Sequence, residues 1–295
     1  MKRHFIWVLA VLVFGCFFMI YSISLAADEE WTKKADMPTA RDVLSTSVVN
    51  DKIYAIGGEN GPDLSTVEEY DPVKDTWTKK ADMPTARQAL NTSTVNGKIY
   101  AVGGITQNPW VTLSTVEEYD PVKDSWTKKA DMPTKRFALS TCVINGKIYA
   151  IGGVSWNGQD WIPFSSVEEY DPVTDTWTKK TDMPAARGVL SSSVVNGQIY
   201  VIGGAIKIAS AFSKVEIYDP IMDRWKAGTD MPTARRYLST SAVNGKIYAI
   251  GGSTAVDACL NAVEEYTPEG WPFKQQSVFP QEKLATSWGE IKSKQ

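Results

Sequence analysis

Five arginines recur along this chain, Arg41, Arg87, Arg136, Arg187 and Arg235, in steps of 46, 49, 51 and 48 residues. Five glutamates recur between them, Glu68, Glu117, Glu168, Glu216 and Glu264. A guanidinium and a carboxylate facing one pocket could bind an anion and move protons. Turned inward, the same two groups make a charge-assisted hydrogen bond. A reaction needs one such constellation, whereas an architecture needs one per unit. The fivefold recurrence therefore predicts structural ion pairs, each tying one strand of a repeat to the start of another. The Asp-x-x-x-Asp of DPVKD (71–75) has too few oxygens for a calcium loop and reads as turn capping. No metal site and no cofactor is expected.

Absent residues exclude more chemistry than present ones suggest. The one histidine, His4, lies in a segment that reads as a secretory signal: MKRH, then an apolar run, then Ser24-Leu25-Ala26 as a small-x-small cleavage pattern. With residues 1–26 removed, no histidine remains, and 29 basic residues stand against 34 acidic ones, a net charge of −5. Histidine-ligated metals, Ser-His-Asp triads and imidazole general bases are then excluded. Nucleic acid is an unsuitable partner without clustered positive charge. Two cysteines remain, Cys142 and Cys259, too few for a disulfide scaffold. The expected location is outside the cytoplasm, periplasmic or extracellular, with no stable membrane span after cleavage; an uncleaved membrane anchor is the alternative. Residues 272–295 form a C-terminal tail with no assigned role.

The elements that carry the Arg–Glu pairs follow from the repeat. Tryptophans at 31, 77, 126, 177, 225 and 271, Met-Pro pairs at 37, 83, 132, 183 and 231, and Gly-Gly pairs at 57, 103, 152, 203 and 251 keep one period. A period of 40–50 residues signals a repeat architecture. Within a unit, two short apolar runs flank an Asn-Gly turn (96–97, 145–146, 196–197 and 244–245), a strong hairpin signal. VEEY makes a third strand, ended by Asp-Pro, and TWTKKA makes a fourth. Four antiparallel strands, five times over, describe an all-β propeller with five four-stranded blades, six being the alternative. The strand at Trp31, residues 31–35, is expected to pair with 262–267 and close the ring within the last blade.

An apolar run into Gly-Gly (IYAIGG), then Tyr70, then Trp77 seven residues later, resembles the kelch repeat, and the resemblance covers residues 31–271. It implies that the first strand of each blade lines the central channel and the fourth lies outermost. The propeller region is placed at 27–271. Kelch-like enzymes include a copper radical oxidase, whose histidine ligands this chain lacks, and a sialic-acid mutarotase, which needs only acids and arginines round a pocket.

Residues identical in every copy are packing residues; those that change are candidates for recognition. Antiparallel order puts all tight turns on one face and all long loops on the other. The loops of the second and third blades hold Trp110, Trp156 and Trp161, outside the tryptophan repeat. The positions after each fixed arginine vary as well and supply Asp42, Gln88, Phe137, Arg236 and Tyr237. Indole rings beside amides and carboxylates suit a sugar, whose C–H faces stack and whose hydroxyls need planar partners, and equally anchor a protein loop. The expected function is an exported, non-enzymatic binding or adhesion module whose partner is a protein or a carbohydrate. A mutarotase-type enzyme and a purely structural repeat protein are the alternatives.

Overall fold

The Asn-Gly dipeptides take the positive φ that a tight hairpin demands, Asn96 at 49° and Gly97 at 73°, and so fold each repeat back on itself. The computed structural model describes residues 32–207, 210–254 and 259–269. The proposed signal segment, Trp31 and the tail lie outside them. The chain divides between Lys34 and Ala35, and the architecture below is that of the second unit.

Five antiparallel blades follow one another, with no helix among the described residues. Blade 1 runs Ser45–Val49, Lys52–Ile56, Val67–Asp71 and Thr76–Lys79 in spatial order. Blade 2 (Asn91–Val95 to Ser125–Lys128), blade 3 (Ser140–Ile144 to Thr176–Lys180) and blade 4 (Ser191–Val195 to Arg224–Ala227) repeat it. The registers are equivalent: Tyr70 opposes Trp77, and Tyr170 opposes Trp177. Blade 5 has three described strands, Ser239–Val243, Lys246–Ile250 and Val263–Tyr266. The fourth strand expected from residues 31–35 is not formed among the described residues: Thr32–Ala35 carry no strand, and Val263–Tyr266 is an outer edge.

Hydroxyls join successive inner strands. Ser45 and Ser47 meet Thr92 at 2.8 Å, Ser93 meets Thr141 at 2.8 Å, and Ser191 meets Thr240 at 2.9 Å. Small polar residues fit here because the inner strands converge. The core lies between blades: Val49, Ile56, Val67, Met83 and Leu90 of blade 1 and its exit pack on Ile99, Ala101 and Tyr119 of blade 2. Trp126 packs against that cluster, donates Nε1–H to the Ala81 carbonyl at 2.9 Å, and lies 5.0 Å from the Tyr119 ring. Trp177 and Trp225 repeat the bond to Ala130 and Thr181.

The first four Gly-Gly pairs let the next blade's backbone in. Gly104 donates its N–H to the Arg136 carbonyl at 3.0 Å, and a Cβ on Gly103 would stand 2.4 Å from that same oxygen. With φ at +63°, Gly103 also holds a conformation that L side chains resist.

The arginines point inward. Arg41, Arg87, Arg136, Arg187 and Arg235 pair with Glu68, Glu117, Glu168, Glu216 and Glu264 at 2.5 to 3.0 Å, and all five guanidinium side chains are sealed from solvent. Arg136 also donates to the carbonyls of Ala150 (3.0 Å) and Ser166 (2.8 Å), so it joins the entry of blade 3 to its second and third strands. Burial lowers its pKa to about 10, and the Glu168 carboxylate opposes that shift. In the DPVKD turn, Asp71 Oδ1 accepts from the N–H groups of Val73 and Lys74 at 3.0 and 3.1 Å.

Candidate functional site

The residue two places after each buried arginine sits in the left-handed region: Val43, Ala89, Ala138, Val189 and Tyr237 have φ between 49° and 54°. Left-handed backbone is costly for valine, whose branched Cβ crowds the carbonyl, so surrounding structure must impose it. It does so through bonds from blade to blade. Ala89 N–H donates to the Val43 carbonyl, Ala138 to Ala89, Val189 to Ala138 and Tyr237 to Val189, at 2.9 to 3.0 Å. These five residues rim a cavity of about 460 Å³ on the long-loop face. Leu44, Leu90, Leu139, Leu190 and Leu238, each next in sequence, line it as well.

The aromatic wall comes from blades 2 and 3. Two small hairpins build it, Ile105–Thr106 with Val111–Thr112, and Val154–Trp156 with Trp161–Pro163. Trp156 N–H donates to Thr112 Oγ1 at 3.0 Å and ties the second hairpin to the first. Phe137 is buried beneath, with its ring 4.8 Å from that of Trp161, and forms a small core with Ile105 and Val154. Trp110, Trp161 and Tyr237 stay open to solvent, 50%, 36% and 61% exposed.

Of the eight candidate binding residues, Trp110, Trp161, Phe137, Tyr237 and Gln88 line this one cavity. The other three stand outside its lining. Trp156 lies edge-on to Trp161 at 6.1 Å and packs on the Phe137 core. Arg236 is buried, with its guanidinium 5.2 Å over the Tyr237 ring and Nε 3.4 Å from Ser253 Oγ. Asp42 pairs through its backbone with Glu59 and is exposed.

One cluster was not among the candidates. Buried Gln88 donates through Nε2 to Glu59 Oε2 at 2.9 Å and to Asp63 Oδ1 at 3.2 Å. Gln107 adds its backbone N–H to Asp63 Oδ2 at 2.6 Å and its own Nε2 to Glu59 Oε2. Two carboxylates are thus held beside the cavity by amides alone. The sequence signal was available, since ENGPDLST (59–66) is the most acidic of the first three long loops, but only folding brings it to Gln88. Asn91 also lines the cavity; its Nδ2 donates to the Leu139 carbonyl at 3.4 Å and its Oδ1 accepts from Thr141 at 2.7 Å. Among the described residues, no group of three or more histidine, cysteine or acidic side chains is placed to hold a metal. Cys142 and Cys259 are both free thiols.

Similarity to known proteins fits this geometry. Over 49 residues the chain is 39% identical to a kelch-like protein, terF, of Aspergillus terreus (strain NIH 2624 / FGSC A1156), a stretch that is 17% of this chain and 11% of that one. This chain thus spans only about a ninth of that relative's length. A solved structure, that of YjhT, superimposes with a TM-score of 0.73 and covers 83% of this chain and 87% of its own; at 17% identity the likeness is one of fold. The model of the Attractin/LZTR1 beta-propeller matches residues 16–263. With that match over most of its length and the kelch pattern in each blade, the chain belongs to the Attractin/LZTR1 family of kelch-type β-propellers.

Proposed function

We propose that the protein is an exported, non-enzymatic binding module that presents the long-loop face, with the cup at its centre, to a protein or carbohydrate ligand. The observation that carries this reading is convergence. Trp110 and Gln88 of blade 2, Phe137 and Trp161 of blade 3 and Tyr237 of blade 5 meet round one open cavity. A concave, aromatic surface with a few fixed polar groups is what binding sites share. Export rests on the pattern of residues 1–26.

The lining favours binding over turnover. It includes no carboxylate, lysine or arginine, and the five repeated arginines are sealed in ion pairs away from it. A mutarotase-type reaction needs groups that exchange protons with the substrate, and the only titratable side chain in the lining is Tyr237.

The test is a binding screen of residues 27–295 against glycans, polysaccharides and candidate protein partners, beside a Trp110/Trp156/Trp161→Ala variant of unchanged Tm. Binding lost in the variant is the expected result. Turnover of a sugar by the wild type, abolished by the same substitutions, would replace this reading with an enzymatic one.

A further inference from the structure

A neutral sugar trades water for planar hydrogen-bond partners, and each unmatched hydroxyl is a penalty. Both amides in the cup are already engaged: Gln88 Nε2 with Glu59 and Asp63, and Asn91 with Leu139 and Thr141. The other polar side-chain atoms of the lining are Gln88 Oε1, two indole N–H groups and the Tyr237 hydroxyl. The charge beside the cup is divided: Arg236, buried with its guanidinium over Tyr237, stands on the blade 5 side and Lys207 is in the blade 4 loop, while the side of blades 1 to 3 is acidic. The three loops of blades 1 to 3, residues 59–66, 105–115 and 154–166, hold Glu59, Asp63 and Asp160 and no lysine or arginine. Among the described residues none of these acids is ion-paired, and neither is Asp42.

An aromatic wall next to uncompensated carboxylates is complementary to a group with a flat or apolar body and a positive head. We propose that the cup takes a cationic side chain of a partner protein, an arginine or lysine, whose stem or guanidinium plane lies on Trp110 and Trp161 and whose charge faces the Glu59–Asp63 pair. The inference rests on the binding reading above and narrows it to one ligand class. A cation over an indole is attracted by the ring quadrupole, and arginine stacks as well as pairs. Half-buried Glu59 and Asp63, held by Gln88 and Gln107, are pre-placed for the head group at no further ordering cost.

The experiment titrates residues 27–295 with a capped Gly-Arg-Gly peptide, its citrulline analogue and a panel of neutral oligosaccharides, following tryptophan fluorescence and heat. Citrulline keeps the shape of arginine and removes the charge. The arginine peptide is expected to bind about tenfold more tightly than citrulline. That preference is expected to shrink on Glu59→Gln/Asp63→Asn and at high salt, and binding is expected to be lost on Trp110→Ala/Trp161→Ala. Since the citrulline comparison alters the ligand only, it stands even if a protein variant misfolds. Equal binding of the two peptides overturns the inference. Sugar binding that needs Trp110 but ignores the carboxylate variant also overturns it and leaves the binding module intact. No binding of any probe, together with a negative partner screen, overturns both.

Discussion

Blade 1 and blade 5 place the same kinds of residue at the same three positions, with opposite outcomes. Val49, Ile56 and Val67 are 4%, 0% and 0% exposed, because blade 2 covers them. Val243, Ile250 and Val263, their counterparts, are 51%, 44% and 60% exposed. A kelch blade is thin and does not bury its own face; the neighbour does that, as in other repeat folds. Among the described residues, blade 5 does not make the junction that the rest make. In blades 1 to 4 a tyrosine hydroxyl donates to the aspartate before the tryptophan, Tyr70 to Asp75, Tyr119 to Asp124, Tyr170 to Asp175 and Tyr218 to Asp223, at 2.5 to 2.6 Å. The same aspartate accepts the N–H of the preceding unit, as Asp124 does from Ala81 at 2.8 Å. Tyr266 has no such aspartate after it.

The sharpest way to break this comparison is through the ion pairs. Glu168→Gln is expected to cost about 3–5 kcal/mol, because it leaves the Arg136 charge buried and uncompensated. Glu264→Gln, whose side chain is 19% exposed beside Arg235, is expected to cost about 1–2 kcal/mol. Urea unfolding of the two variants checks it, and equal losses would mean that the neighbour is not what makes the pair matter. Core truncation should follow the same order at smaller scale: Ile56→Ala is expected to cost about 3 kcal/mol and Ile250→Ala about 1 kcal/mol or less.

Acid is expected to loosen the junctions of blades 2 to 4. The Tyr119 hydroxyl holds Asp124 below the usual carboxylate range, and Tyr170 and Tyr218 do the same for Asp175 and Asp223. A carboxylate whose folded pKa is depressed binds fewer protons than its unfolded form, so stability rises with pH through that window. The contribution is complete above the ordinary aspartate value of about 4 and is lost as pH falls through the lowered values. Asp124→Asn is expected to flatten the acid limb of a stability–pH curve. An unchanged limb would assign acid sensitivity elsewhere.

The smallest effect is a labelling difference between Cys142 in blade 3 and Cys259 in blade 5. Burial pushes the Cys142 thiol up to about 12, whereas Cys259 is exposed. A thiol reagent is expected to modify Cys259 in the native protein and Cys142 at least about a hundredfold more slowly, on unfolding. Comparable rates would show that blade 3 opens as readily as blade 5.

The blades were legible in the sequence because each repeat writes out its own turns, strands and breakers. The inward turn of Arg136 was legible for a different reason: five copies of one pair imply five copies of one environment. The cup was only half legible. Trp110 and Trp161 stand out as unrepeated aromatics, yet nothing local separates them from Trp156, which the Val154–Trp156 hairpin sets outside the lining. Valines at 43 and 189 speak against the left-handed backbone they adopt, since tertiary bonds override that preference. The hold of Gln88 on Glu59 and Asp63 spans 25 to 29 residues and joins two blades, so it has no local signature. The exposed face of blade 5 was not legible: Val243, Ile250 and Val263 match their blade 1 counterparts in type, and only the structure shows them uncovered.

The junctions have a consequence for how such a chain changes over generations. From blade 1 to blade 4 each boundary is made by the same groups: an indole on a carbonyl, an aspartate on an N–H, a glycine N–H on an arginine carbonyl. An in-frame duplication or deletion of one repeat length within blades 1 to 4 therefore brings the same groups to each boundary it creates. Near-identical repeats are the substrate on which such crossovers occur. Blade number is in this sense a quantity the gene can edit in single steps, and each step resets the width of the central cup while leaving its walls to drift one loop at a time.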